Sequence, residues 1–336
     1  MSEVYFPLAT VAGTFLVLIP ALTLMSRAAL TLSRRRTASW ARFGSETTYA
    51  WLVGPTLLPV MWVVSSALHQ SEPTRSLDSC LIDHVQASTC LDTLLLLGAM
   101  LAGLGITVAL RLWREWPRHE RRQLGEGHEL TRRIARIAHA DPHLRSLRIV
   151  VVDRASEPVV TCGILRPLVL VDARFVRGAD PQLLRAALLH ERAHIAGLDT
   201  FRCFLARLCL TINPVGSLLT ADFERWRSAR EAMCDGEAVQ RGGEPLALAE
   251  GIVRAARFRR GDLAPQVAGL CGHDAAALKL RIALLLDGPP APVRTLGHFF
   301  LAVGLLGVLI TPHGADTGLL EHFHFAVERM LHVPTS

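Results

Sequence analysis

Lysine is nearly absent from the 336-residue sequence, in which Lys279 is the single lysine. The net charge of +6 therefore comes from arginine, and arginines cluster in two segments, residues 27–42 and 111–122. Both segments lie beside apolar runs, as the positive-inside rule predicts for a membrane protein. The basic charge thus indicates how the chain is oriented in a membrane, and direct binding of nucleic acid is not expected.

Charge is missing altogether from three long apolar runs, residues 8–25, 51–68 and 94–110. Each run is long enough, or nearly so, to cross the roughly 30 Å hydrocarbon core of a bilayer as a helix. A fourth run, residues 296–311, is shorter and contains His298. Glu3 precedes the first run and arginines follow it, so we predict an uncleaved anchor rather than a signal peptide.

The segments on either side of these runs differ in charge. Residues 69–90 and the tail, residues 312–336, each hold one arginine against three acidic residues. Because basic loops remain in the cytoplasm, this asymmetry predicts a multi-pass protein of the cell (inner) membrane. The first loop and the long central region are then cytoplasmic, and both termini and the second loop are external.

The seven cysteines show no C-x-x-C spacing, which argues against a cysteine-only zinc site. Cys80 and Cys90 share the inferred external loop, where a disulfide and two free thiols are equally open alternatives. The other cysteines lie in the inferred cytoplasmic part and are expected to be reduced.

The central region alternates between strand and helix patterns. Residues rich in β-branched side chains and bounded by Gly and Pro predict short strands at 147–153, 158–163 and 167–172. Periodicity and capping residues predict helices at 129–139, 180–197, 200–211 and 218–241. We interpret the helix at 200–211 as buried or resting on the bilayer surface, with a full crossing as the less favoured alternative.

The segment LLHERAHIAGLD, residues 188–199, carries the pattern H-E-x-x-H within a predicted helix. His190 and His194 are four residues apart and therefore lie on one helix face, where both imidazoles can bind one metal ion. Glu191 then lies close to the metal without binding it, in the place of a general base. The alternative is a solvated helix stripe held by contacts between residues four apart.

A catalytic zinc site needs a third protein ligand and one open position. In some zinc proteases the third ligand is another histidine that follows the H-E-x-x-H pattern at a fixed distance. In this sequence Thr200 occupies the position of that histidine, and Asp199 falls one residue before it. We therefore prefer Glu231, in SAREAMCDGEAV on a downstream helix, with Cys234 as a weaker alternative.

Two further acidic residues are assigned to the surroundings of the ligands. Asp235 follows Glu231 by four residues, and its carboxylate is placed to hydrogen-bond a ligating histidine and fix its tautomer. Asp199 is assigned a similar role next to the ligands, without binding the metal itself. The alternative for Glu231 is a solvated position paired with Arg227 or Arg230.

Taken in order, LLHERAHIAGLD, the NPV break at 213–215 and SAREAMCD resemble the BlaR/MecR-type integral membrane zinc metallopeptidases, the antirepressors of β-lactam resistance. CGILRPLVLV, residues 162–171, and LKLRIALLLD, residues 278–287, resemble the segments before that family's zinc helix and last span. The resemblance implies Zn²⁺ as cofactor, with His190, His194 and Glu231 as ligands and Glu191 as general base.

The sequence departs from that family after its fourth apolar run. The β-lactam receptors continue into a large external penicillin-binding sensor, whereas residues 312–336 contain no S-x-x-K acylation motif. A β-lactam stimulus is therefore not supported by these residues.

The expected fold is an α-helical membrane protein with an inserted α+β, gluzincin-like zinc metallopeptidase domain. Residues 1–117 are assigned to three transmembrane helices with short loops, and residues 118–290 to the cytoplasmic metallopeptidase domain. Residues 291–336 are assigned to a fourth transmembrane helix and a short external tail.

The resemblance implies a zinc endopeptidase that cleaves a cytoplasmic protein, a transcriptional repressor or another regulator, in transmembrane signalling. Its partners are that protein substrate and membrane lipids, and the sequence leaves the oligomeric state open. Two alternatives are an HtpX-like quality-control protease and a non-catalytic membrane sensor or scaffold. The strand edge at 159–160 or at 169–170 is expected to bind a peptide, and Arg281, His273 and Asn213 are candidates for stabilising an oxyanion.

Overall fold

The computed structural model describes residues 13–36, 46–70, 103, 105–108, 110, 123–155, 157–164, 166–261 and 272–287. Most of the third apolar run lies outside the described residues. The loop with Cys80 and Cys90, the arginine segment at 111–122, the fourth apolar run and the tail lie outside them as well. The predictions for these segments stay predictions.

Two apolar helices form the N-terminal part of the described chain. A π-helical turn, Thr14–Leu18, leads into α1 (Ile19–Arg36), and α2 is Glu46–Gln70. Within the described residues, one stretch has the length and composition to cross a membrane: Thr14–Leu32, 19 residues with a mean hydropathy of 1.8. This stretch overlaps the first predicted span.

A three-stranded sheet lies at the start of the central region. Its strands are β1 (Ile149–Val152), β2 (Val159–Cys162) and β3 (Leu168–Asp172), in the order β1-β3-β2. β3 is parallel to β1 and antiparallel to β2. Leu170 is paired on both sides, with Val150 and Val160, so the edge suggested at 169–170 does not exist and that alternative is wrong.

Side chains alternate between the two faces of the sheet, as the pleat requires. Val151, Val169 and Val171 belong to the main core under the helices. Val152 and Leu170 form a small separate cluster on the other face. The three predicted strands are thus confirmed, and one face of the sheet supports the helical layer.

Seven helices surround the sheet or follow it: α3 (Glu129–Ala140), α4 (Ala173–Gly178), α5 (Pro181–Ala196), α6 (Asp199–Ile212), α7 (Ser217–Gln240), α8 (Pro245–Gly261) and α9 (Gly272–Asp287). The four helices predicted for this region are confirmed as α3, α5, α6 and α7. The helices α4, α8 and α9 were not predicted.

Local chemistry explains where α5 begins and ends. The Asp180 carboxylate accepts the backbone N–H of Leu183, and Pro181 occupies the first turn, where its missing N–H costs nothing. The helix stops at Gly197, and Leu198 has a φ of 53°, in the left-handed region. This one residue turns the chain directly from α5 into α6.

The helices bury two separate apolar clusters. The main core surrounds α5, with Leu183, Leu184 and Leu188 fully buried. The second cluster lies where α1 and α2 pack on α6 and α7, and it includes Leu30, Tyr49, Leu52, Val53, Phe223 and Trp226. Because α7 contributes to this cluster and also carries Glu231, it connects the apolar N-terminal helices to the predicted metal site.

Candidate metal centre

The three predicted ligands meet between α5 and α7. The Nε2 atoms of His190 and His194 are 3.1 Å apart. Each of these atoms lies 3.6 Å from a carboxylate oxygen of Glu231. One ligand atom from each residue fits within 4.8 Å of the others, which is a spacing that can hold a metal ion.

Acidic side chains lie behind both imidazoles. His194 Nδ1 is 2.9 Å from Asp199 Oδ2, so the imidazole N–H donates to that carboxylate. His190 Nδ1 lies 2.8 Å from Asp235 Oδ1, although its ring direction is not aligned for a good hydrogen bond. Contacts of this kind leave both Nε2 atoms directed at Glu231, as metal-binding histidines require.

Two arginines with little exposed surface hold these carboxylates in place. Arg281, from α9, donates to both oxygens of Asp235 at 2.7 and 2.9 Å and lies 3.0 Å from Glu231 Oε2. Arg230 donates to Asp199 from Nε at 3.1 Å and from Nη2 at 3.0 Å. The sequence did not predict either pairing.

The pairing of Glu231 with Arg227 or Arg230, which was the alternative for this residue, does not occur. Arg227 pairs with Glu224 at 2.8 Å, and Arg230 pairs with Asp199. Glu231 instead contacts the two histidines and Arg281, which come from other helices.

The charges around the site favour a divalent cation. The carboxylates of Glu191, Asp199, Glu231 and Asp235 face the guanidinium groups of Arg230 and Arg281, and Arg202, which lies 4.0 Å from Asp199, is itself paired with Glu46. This balance leaves two negative charges. Burial lowers the pKa of His190, but Asp235 and Glu231 outweigh it and raise that pKa to about 9. Burial also acts to raise the pKa of Glu231, and the two histidines with Arg281 hold it well below its usual range. The site therefore stabilises positive charge at the imidazoles, and its donor set fits a metal ion.

Glu191 lies beside the ligands and is only 8% exposed. Thr161 Oγ1, on β2, donates a hydrogen bond to Glu191 Oε2 at 2.7 Å. This contact fixes one oxygen of the carboxylate and leaves the other for a second partner. No local pattern around Thr161 indicates this role, because it depends on β2 packing against α5.

The site opens into a cleft of about 290 Å³. Residues from β2, α5, α6, α7, α8 and α9 line it. The Pro158 carbonyl accepts the N–H of Asp172, so the alternation of an antiparallel pair turns the backbone groups of Val159 and Thr161 away from β3. Among the described residues no strand pairs with this edge of β2, and the edge borders the cleft.

A second group of potential ligands, His194, Asp199 and Cys234, lies behind the first. Cys234 Sγ is 3.4 Å from His194 Nδ1 and 3.5 Å from Asp199 Oδ2. Burial raises the pKa of the Cys234 thiol to about 11, so the sulfur stays protonated at neutral pH. Because the Arg230 guanidinium already pairs with Asp199, this group does not favour a cation, and Cys234 is not a preferred ligand.

The three residues suggested as oxyanion stabilisers differ in their surroundings. All three guanidinium nitrogens of Arg281 contact Asp235 or Glu231. The Asn213 side chain is buried and donates to Thr23 and Thr56, away from the cleft. The side chain of His273 lies outside the described residues.

A family model described as BlaR1 peptidase M56 matches residues 19–285. The match begins at the first residue of α1 and ends within α9, so it includes both apolar helices and every residue of the candidate site. No curated protein and no solved structure matches the chain significantly.

Proposed function

The chain belongs to the BlaR1 peptidase M56 family, and we propose that it is an integral membrane zinc endopeptidase. Its proposed role is to cleave a cytoplasmic protein, a transcriptional repressor or another regulator, in transmembrane signalling. The observation that carries the proposal is the convergence of His190, His194 and Glu231, with Glu191 in the same cleft. The proposed topology is the four-span arrangement with a cytoplasmic metallopeptidase domain at residues 118–290.

In this proposal His190, His194 and Glu231 hold the zinc ion. Zinc supplies Lewis acidity, which polarises a peptide carbonyl and makes water easier to deprotonate. Glu191 takes the proton from the attacking water and gives it to the leaving amine. Thr161 holds the Glu191 carboxylate in one orientation through its 2.7 Å hydrogen bond.

The unpaired edge of β2 is an argument for a peptide substrate. An extended peptide can add to this edge as a further strand and bond to the outward backbone groups of Val159 and Thr161. Because Thr161 also contacts Glu191, a peptide bound there passes close to the general base. Backbone pairing of this kind tolerates many sequences, so selectivity must come from side-chain pockets in the cleft.

Glu191 also favours an enzyme over a non-catalytic sensor. A structural metal site has no use for a buried carboxylate beside its ligands, and burying such a charge is costly. The family match favours a BlaR1-type peptidase over an HtpX-like quality-control protease.

The first experiment measures the metal content of the purified protein. We expect about one zinc per chain in the wild type and in Glu191→Gln, as one catalytic site requires. We expect little zinc in His190→Ala and Glu231→Ala. His139→Ala and Glu224→Ala serve as matched controls, because both side chains are exposed and lie away from the cleft. Zinc retained without Glu231 would mean that another residue is the third ligand.

The second experiment tests proteolysis without knowing the substrate. New protein N-termini are compared between cells that express the wild type and cells that express Glu191→Gln. We expect a set of cytoplasmic N-termini that needs Glu191. Identical sets in both strains, with zinc bound in both proteins, would remove the peptidase proposal.

A further inference from the structure

The turn between α6 and α7 forms a tight, apolar helical hairpin. Residues 203–220, which we call the α6–α7 hairpin, contain a single charged residue, Arg207. The helices approach so closely that a Cβ on Gly216 would overlap the Leu210 carbonyl oxygen. The hairpin packs on α1 and α2 rather than on the sheet.

The contacts between α6 and α2 indicate how far the α6–α7 hairpin extends into the hydrocarbon layer of the membrane. At one end Arg202 pairs with Glu46 at 2.7 Å, and the Tyr49 hydroxyl donates to the Arg202 carbonyl. At the other end the Asn213 amide donates to Thr56 at 3.2 Å. The two helices therefore run side by side in the same direction. Thr56 is five residues inside the uncharged run 51–68, or about 7 Å at 1.5 Å per residue.

The contacts with α1 give an independent measure of the depth of Asn213 in the membrane. Asn213 Nδ2 also donates to Thr23 Oγ1 at 2.8 Å. Thr23 lies within Thr14–Leu32, the stretch that can cross a membrane. Further along α1, Arg27 bonds to the Leu218 carbonyl and lies 3.9 Å from Asp222. Both apolar helices thus place Asn213 at a level inside the hydrocarbon layer.

The Asn213 side chain, the Gly216 N–H and the Thr211 hydroxyl of the turn all have partners, as that layer demands. The Asn213 amide donates to two hydroxyl groups, and its oxygen accepts the N–H of Val215 at 2.9 Å. The Gly216 N–H bonds back to the Asn213 carbonyl. The Thr211 hydroxyl donates to the Arg207 carbonyl within its own helix. Irregular backbone is tolerated at membrane depth only where such partners exist.

We infer that the α6–α7 hairpin is a re-entrant membrane element whose outer surface contacts lipid acyl chains. This inference rests on the membrane placement in the proposed function. Arg207 is six residues from Asn213, or about 9 Å, which places it near the hydrocarbon boundary. A side chain of that length reaches the headgroups with its charge while its stem stays among apolar groups.

The rise per residue along α6 also gives the height of the metal site above the hydrocarbon boundary. Asp199 precedes Asn213 by 14 residues, or about 21 Å along a straight helix, of which about 7 Å lie in hydrocarbon. The metal ligands therefore stand no more than about 15 Å above the hydrocarbon boundary. The protease cuts its substrate at the cytoplasmic membrane surface, and the substrate segment must reach that surface.

The test compares two cysteine substitutions on α7. Ser217 and Glu224 are exposed among the described residues, and seven residues apart they share one helix face. Inside-out membrane vesicles with Ser217→Cys or Glu224→Cys are treated with a membrane-impermeant maleimide. Labelling is measured peptide by peptide, so native cysteines do not interfere. We expect Ser217→Cys to react at least about tenfold more slowly, because the reactive thiolate does not form in hydrocarbon.

A second measurement distinguishes a labelled position that is covered by lipid from one that is covered by protein. Each variant is labelled with a fluorophore in detergent and reconstituted with phospholipid that carries a nitroxide at acyl position 12. We expect strong quenching at position 217 and weak quenching at position 224. Thr211→Cys repeats the test on the other arm of the hairpin, in case one substitution impairs folding.

The outcomes are distinguishable. Equal labelling of both positions, in protein that stays in the membrane after an alkaline carbonate wash, overturns the inference alone. Protection of position 217 without nitroxide quenching also overturns it, because the cover is then protein. Release of the protein by the wash overturns the inference together with the proposed membrane placement, while the metal and N-terminus experiments still test the peptidase.

Discussion

Replacing Asp235 with asparagine should weaken metal binding, and it also removes one of the two oxygens that accept from the Arg281 guanidinium. The Asp235 carboxylate lies 2.8 Å from His190 Nδ1 and is almost fully buried. Asparagine has nearly the same shape but no charge. The change therefore removes one of two excess negative charges and the partner that makes the imidazole a stronger base. Both effects act in the same direction.

The magnitude and the direction of the effect follow from two considerations. Loss of a carboxylate behind a ligating histidine typically costs 10- to 100-fold in metal affinity, or about 1.4–2.7 kcal/mol. Independently, Asp235 and Glu231 raise the pKa of His190 from 6.5 to about 9 against the effect of burial. These two carboxylates therefore stabilise positive charge at the His190 ring, and Asp235 has the larger effect of the two. The two considerations agree in direction.

The assay is competition for zinc with a fluorescent chelator in detergent. Glu224→Gln is the matched control, because Glu224 lies on the same helix and pairs with Arg227 at 2.8 Å but contacts no histidine. Asp235→Glu keeps the charge while moving the carboxylate, and it should recover part of the lost affinity. A zinc Kd for Asp235→Asn within about twofold of the wild type would refute the reasoning, since at least tenfold is expected. Equal weakening in Glu224→Gln would refute it as well.

Two further substitutions test contacts that join separate elements. Thr161→Val removes the hydrogen bond to Glu191 and should lower kcat roughly 5- to 10-fold at unchanged zinc content. Thr161→Ser should restore the activity, and full activity in Thr161→Val would contradict the role of the hydroxyl. Gly216→Ala brings a methyl group against the Leu210 carbonyl and should destabilise the fold by about 1–3 kcal/mol in thermal unfolding. Gly178→Ala, where a Cβ meets no atom within 4 Å, is the control, and equal melting of the two variants would argue against the close approach.

Features that depend on a few neighbouring residues were predictable. The spacing of His190 and His194 places them on one face of any α-helix, whatever surrounds it. The same holds for the start of α5, where Asp180 and Pro181 act within one turn. The three strands followed from β-branched residues between Gly and Pro. The proline at the start of α8 could also have indicated that helix, although it was not predicted.

Features that depend on how the elements pack were not predictable. Thr161 meets Glu191 across 30 residues of sequence, Arg281 meets Asp235 across 46, and Asn213 meets Thr23 across 190. Whether 159–160 or 169–170 forms the open strand edge depends on strand order, which neither strand contains in its own sequence.

The sequence by itself determined that His190 and His194 share one face of α5 and that the N-terminal helices are apolar, because both follow from periodicity within one element. Only the tertiary structure decided which arginine holds which carboxylate, which strand borders the cleft and where the α6–α7 hairpin lies. The physical reason is that these properties are set by buried contacts between elements distant in the chain. Such contacts leave no periodic pattern in the sequence of either partner.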